Sequence, residues 1–157
     1  IELDCVASCA AEGDLFPHEP DEVLFTFEVG IDLANGAITV DVCLPVVFDI
    51  KPGSRTNPWN LGSEGVLPVA ILSDAFFDAP SEVDVGTLEI LGVGIDKWTV
   101  EDVDGDGLDD LKLHWRTQEL VDAGANETMT VLELRGETNL GMCIEGADVV
   151  RIVPANK

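Results

Sequence analysis

Tyrosine is missing from this 157-residue sequence, and histidine and methionine occur only twice each. Positive charge is scarce as well: 8 Lys and Arg stand against 31 Asp and Glu, a formal net charge of −23. That balance excludes most anionic partners, because phosphate backbones and acidic lipid surfaces are repelled over nearly the whole surface. Nucleic acid is therefore not an expected partner. No apolar run approaches the roughly 18 residues that a membrane-spanning helix needs, so membrane insertion is not expected either. The sequence starts at Ile1 with no initiator Met, basic n-region or apolar h-region, and is read as already processed. Helix signals are as sparse. Only Ser73 to Phe77 offers an N-cap followed by helix formers, with Pro80 ending it, so at most one short helix is expected. There is no internal repeat and no low-complexity segment.

A readable catalytic constellation is also lacking. His18 and His114 are the only imidazoles, Gly62-Ser63-Glu64-Gly65 does not have the nucleophile-elbow pattern, and no glycine-rich loop is arranged to cradle phosphate. The expected function is therefore non-enzymatic.

Hydrophobic residues, in contrast, make up 46% of the chain and recur in short runs, enough for the core of one domain. Val23, Phe25, Phe27 and Val29 alternate with Leu24, Thr26 and Glu28, which predicts a strand over Val23 to Ile31. Asn35-Gly36 then favours a hairpin turn, since both residues tolerate positive φ. A returning strand is expected over Ala37 to Ile50, bulged around Pro45. Further strands are predicted at Val66–Leu72, Thr87–Leu91, Trp98–Glu101, Leu111–Thr117, Glu127–Arg135 and Asp148–Val153, each flanked by Gly, Pro, Asn or Asp. About eight or nine short strands point to an all-β fold, a β-sandwich of jelly-roll-like type.

Four cysteines, Cys5, Cys9, Cys43 and Cys143, form no CxxC pair and have no histidine at zinc-ligand spacing, so they are read as disulfides. That places the chain in an oxidising, extracytoplasmic setting. Three connectivities are open, and Cys5 with Cys9 and Cys43 with Cys143 is the expected one.

The sharpest motif is Asp102-Val103-Asp104-Gly105-Asp106-Gly107-Leu108-Asp109-Asp110. Asp102, Asp104, Asp106 and Asp110 occupy loop positions 1, 3, 5 and 9, glycine stands at 6, and the Leu108 carbonyl falls where a backbone ligand is needed. Alternating oxygens of this kind wrap Ca²⁺, which takes about six to eight oxygen ligands. Position 12 is Leu113 in place of a bidentate Glu, and Leu111, Leu113 and Trp115 alternate as a strand, so the loop is a β-associated site and not an EF-hand. A remaining ligand is sought at Glu101, Asp109 or a distant carboxylate. A divalent cation also relieves the self-repulsion of so acidic a fold.

Residues 1–22 stand apart from the domain expected over 23–157. Ile1, Leu3, Cys5, Ala7 and Cys9 share one face of a period-two pattern, and the polar stretch Glu12 to Asp21 follows. Two readings are open: a first strand of the chain's own sheet, or a strand donated to the edge of a neighbouring subunit, with Ile1, Leu3, Cys5 and Ala7 filling its groove. Repeated head to tail, the second contact does not close and makes a filament.

Several ordered segments then carry a resemblance. They are Phe48-Asp49-Ile50-Lys51-Pro52-Gly53-Ser54, Asn57-Pro58-Trp59-Asn60, the run Ser63 to Leu72, Val100-Glu101-Asp102, and His114 to Leu120. Over roughly residues 46 to 154 the chain resembles the DIKPGS-type domain of bacterial and archaeal secreted and surface proteins. The resemblance implies an extracellular β-domain with a calcium loop and no known catalytic activity. One such module with a strand-like arm is also similar to protomers of helical fibrils from environmental water. The expected function is that of a calcium-stabilised structural subunit of an extracellular filament or surface layer, at the surface of a bacterium or archaeon, with other copies of itself as partners.

An extracellular carbohydrate- or protein-binding module is the alternative, with glycans as partners, because Trp59, Trp98 and Trp115 could build a stacking platform. Asn126-Glu127-Thr128 is a glycosylation sequon, which makes Asn126 a candidate acceptor.

Overall fold

Thirteen strands, two of them only two residues long, and two short helices follow one another in the computed structural model, which describes residues 27–32 and 37–153. In order they are β1 Phe27–Asp32, β2 Ala37–Val42, β3 Leu44–Pro45, β4 Val47–Ile50, β5 Pro58–Asn60, β6 Val66–Leu72, α1 Ala79–Glu82, β7 Val83–Ile90, β8 Val93–Gly94, β9 Lys97–Glu101, β10 Asp110–Arg116, α2 Thr117–Asp122, β11 Val131–Thr138, β12 Cys143–Val149 and β13 Arg151–Val153. The fold is all-β and sandwich-like.

One sheet has the order β4-β6-β10-β9 and is antiparallel throughout; the other runs β3-β12-β11-β7-β8, with β3 parallel to β12. Two small sheets pair β1 with β2 and β13 with β5. The alternation of β10 shows why the layers stack. Leu111, Leu113 and Trp115 are fully buried, whereas Lys112, His114 and Arg116 point the other way. Leu67, Val69 and Ile71 of β6 join them from the same sheet. Leu88 and Ile90 of β7, Leu132 and Leu134 of β11 and Ile144 of β12 meet them from the other, in one core. Each such Leu or Ile contributes about 1.5–3 kcal/mol relative to exposure.

The chain changes sheets around Pro45. β3 lies beside β12, Val46 donates its N–H to the Glu145 carbonyl at 2.8 Å, and β4 then joins β6 in the facing layer. Gly146 makes this crossing possible: a Cβ there would lie 2.7 Å from Phe48 Cβ and 3.1 Å from the Val46 carbonyl oxygen. The Cys43–Cys143 disulfide staples the start of the same parallel pair, across 100 residues of sequence.

The expected hairpin is present as the β1–β2 pair, in register from Phe27↔Val42 to Asp32↔Ala37. Its Asn35-Gly36 turn lies outside the described residues, as do residues 1–22 with Cys5 and Cys9. The strand expected over Ala37–Ile50 is cut into β2, β3 and β4 by the sheet change.

Helix placement needs correction. Two short helices form where at most one was expected, and neither is Ser73–Phe77. There the Asp74 carboxylate accepts the N–H groups of Phe76 and Phe77, 2.7 and 3.0 Å away, which competes with helical bonding. Pro80 opens α1 where it was expected to end a helix, as suits a residue with fixed φ and no N–H.

Candidate metal centre

The acidic loop is the turn of the β9–β10 hairpin, whose ends are held by the Glu101↔Asp110 pairing. Asp102 organises it. Its Oδ1 accepts the N–H of Gly105 at 2.7 Å and its Oδ2 that of Gly107 at 3.0 Å. Asp104 accepts from the N–H of Asp106 at 3.1 Å, and Asp106 from that of Leu108 at 2.8 Å. Gly105 and Gly107 have φ of +82° and +91°, a region costly for other residues, so the glycines let the chain coil around its own carboxylates.

The result is a close group of three exposed side chains: Asp102, Asp104 and Asp106 each offer an oxygen, and these oxygens lie within 4.8 Å of one another. Three like charges at this spacing with only oxygen donors suit a hard cation, and the group could hold a metal ion.

Asp110 has a different position from the other three. It is fully buried, with Oδ1 accepting the N–H of Ser73 and Oδ2 that of Val103, both at 2.8 Å. One carboxylate thus ties the loop to the end of β6. Ser73 reinforces the tie, donating from Oγ to the Asp109 carbonyl at 2.7 Å and accepting the N–H of Ala79 at 2.9 Å. Each Asp110 oxygen keeps a further lone pair.

Of the other ligand candidates, Glu101 forms an ion pair with Lys112. Asp109 lines a depression shared with Gly107, Leu108, Asp74 and Asp78. Sequence reasoning did not point to Asp74 or Asp78, because about thirty residues separate them from the loop and no local spacing links them to it. On the other side of the loop, Asp102 and Val103 line a hollow with Lys51, Pro52, Gly53 and Ser54. Lys51 and Gly53 have φ of +53° and +84°, and Ser54 donates its N–H to the Lys51 carbonyl at 2.9 Å, so this segment is a tight turn set against the acidic loop.

The tryptophans do not form a platform. Trp59 and Trp115 are buried, with Nε1 donating to Thr117 Oγ1 at 3.3 Å and to the Val93 carbonyl at 2.8 Å. Only Trp98 is half exposed. Asn57 is buried and spans the sandwich margin, donating from Nδ2 to Asp148 Oδ2 at 2.8 Å and to the Val149 carbonyl at 2.9 Å. Asn60 and Ser63 make local bonds, accepting the N–H groups of Gly62 and Gly65. Arg116 pairs with Asp96 at 2.8 Å. On β10, burial and then the charges of Lys97 and Lys112 hold the His114 imidazole below its ordinary range. Asn126 sits in an exposed turn whose Oδ1 accepts the N–H of Thr128 at 3.0 Å and also its hydroxyl. Ile1, Leu3, Cys5, Ala7 and Cys9 lie outside the described residues.

Among the described residues, no helix is long and apolar enough to cross a membrane. In comparisons with family models, curated proteins and solved structures, the chain matches none.

Proposed function

We propose that this chain is a non-enzymatic, calcium-binding structural subunit of an extracellular filament or surface layer, assembling head to tail through its N-terminal segment. The observation that carries the calcium part is the group of Asp102, Asp104 and Asp106 oxygens, gathered on a hairpin turn already coiled by its own glycines. Asp110 and the Leu108 carbonyl complete the ligand set of this reading, and the resemblance to DIKPGS-type domains agrees with it. The Cys43–Cys143 disulfide supports an extracellular setting, where millimolar calcium and oxidising conditions coincide. Calcium in this position is structural: it neutralises the turn and locks β9 onto β10.

The assembly part is supported by the alternating pattern of Ile1, Leu3, Cys5 and Ala7 and by the polar stretch that separates it from the domain. Negative-stain electron microscopy of the full chain, once with calcium and once with EDTA, tests both parts together. Fibres or sheets that form with calcium and disperse with EDTA are the expected result. Single particles under both conditions would sink the filament reading and leave the adhesion-module reading, for which half-exposed Trp98 is the feature to probe with glycan arrays.

A further inference from the structure

The four-stranded sheet ends at β9 and at β4. β9 pairs with β10 on one side and, among the described residues, with no strand on the other. At the far edge of the same sheet, β4 packs against β12, and its last residue Ile50 donates its N–H to Asp148 Oδ2 at 2.9 Å. Every residue of β9 is exposed.

Its two faces differ in chemistry. In the β9–β10 register Trp98 stands opposite Leu113 and Val100 opposite Leu111, so both share the face of the core. Yet Trp98 is 49% and Val100 44% exposed, and the apolar layer therefore continues past the last strand into solvent. On the other face Lys97 stands opposite His114 and Thr99 opposite Lys112, with Arg116 further along β10. Lys97, Lys112 and Arg116 are three of the eight basic residues in a chain of net charge −23. Lys112 and Arg116 are engaged by Glu101 and Asp96, and Lys97 has no ion pair among the described residues.

A strand that fits this edge has to be apolar on one face and acidic on the other. The segment Ile1-Glu2-Leu3-Asp4-Cys5 has that alternation. We propose that β9 is the acceptor edge for residues Ile1–Ala7 of a second copy of this chain, which adds as a fifth strand to the four-stranded sheet. Ile1, Leu3 and Cys5 lie along Trp98 and Val100, while Glu2 and Asp4 lie on the side of Lys97. The inference rests on the filament reading and adds to it the receiving surface and the register of faces. Donor and acceptor are different parts of the molecule, so the contact propagates without closing. The acidic loop is the turn that holds β9 in place, which makes the edge the part of the fold most directly stiffened by a bound cation.

The test uses full-length variants in calcium. Trp98→Asp disables the acceptor and Leu3→Asp the donor, and each alone is expected to remain single particles by electron microscopy and sedimentation. Mixed one to one they are expected to give dimers, because one chain keeps an intact edge and the other an intact strand. Lys97→Glu is expected to raise the concentration needed for polymer by roughly three- to tenfold, and Glu2→Lys on the same background to restore it. Thermal melts check that the edge variants fold as the parent does; if Trp98→Asp does not, the Lys97 and Glu2 exchange decides alone. Polymers that survive Trp98→Asp and Lys97→Glu but not Leu3→Asp would place the acceptor elsewhere and overturn this inference while sparing the filament reading. Mixtures that stay monomeric would mean that the intact strand of one variant does not complement the intact edge of the other, which also overturns it. A parent chain that never polymerises removes the filament reading and this inference with it.

Discussion

Asp110 accepts the backbone N–H of Ser73 at 2.8 Å, across 37 residues of sequence and in a fully buried position. Its second oxygen holds Val103 at the mouth of the acidic loop. Replacing it by alanine leaves two backbone donors without an acceptor, at a cost of about 2–4 kcal/mol. The urea midpoint of Asp110→Ala is expected to fall accordingly in EDTA as well as in calcium, and Asp110→Asn, which keeps one acceptor, to lose about half as much. An unchanged midpoint in EDTA would mean that this carboxylate matters only as a ligand.

Asp104 is the converse case, being exposed and bonded only to the N–H of Asp106 within its own turn. Asp104→Ala is expected to leave stability in EDTA nearly unchanged and to abolish the gain from calcium. For the parent chain, saturation at about 100 times the dissociation constant stabilises by about 2.7 kcal/mol, or a Tm rise of about 5–10 °C. Scanning calorimetry of both chains with calcium, magnesium and EDTA separates a specific ion from simple screening. An equal rise in magnesium would contradict a calcium-shaped site.

Cys43 and Cys143 close a loop of 100 residues, for which the chain-entropy account gives about 4–5 kcal/mol. Cys43→Ser and the double Cys43→Ser, Cys143→Ser variant are expected to lose a similar amount in guanidinium titrations. Reductant should lower the Tm of the parent chain and leave the double variant unaffected.

Asp49, on the outer face of β4, has its carboxyl held above the usual range, first by burial and then by the charge of Asp148. A folded-state pKa above the unfolded value of 3.8 means that the stabilising contribution is present below that value and lost as pH rises through the folded pKa. The ionised group therefore weighs on the fold at neutral pH. Asp49→Asn is expected to raise Tm at pH 7 and to match the parent at about pH 3, where both forms are neutral. A Tm that falls at pH 7 would show that the ionised carboxylate is used for something else.

Much of this structure can be read in the sequence where one segment contains its own instruction. The alternation of Leu111, Leu113 and Trp115, the hairpin around Asn35-Gly36 and the spacing of Asp102, Asp104 and Asp106 are all local signals, and the first and third give the strand and the cluster expected. The missed features depend on partners far away. Ile144-Glu145-Gly146-Ala147 has no run of β-branched residues, and it is a strand because β11 and β3 flank it and because Gly146 lets β4 pass. Pro58–Asn60 reads as loop and becomes a strand only beside Arg151–Val153. The burial of Trp59 and Trp115, and the exposure of Trp98, follow from where the sheet ends, which no residue near Trp98 states.

The Cys43–Cys143 bond also has a mechanical consequence. Tension applied through the segments outside it, before Cys43 and after Cys143, passes from one sulfur to the other and bypasses the residues in between. Those residues carry most of both large sheets and the acidic turn. Pulling can straighten only the two outer stretches, and the central barrier to further extension is then a covalent bond in place of hydrogen bonds. Pulled from both ends, a chain of this design cannot extend the residues between Cys43 and Cys143 until a reductant cuts the bond.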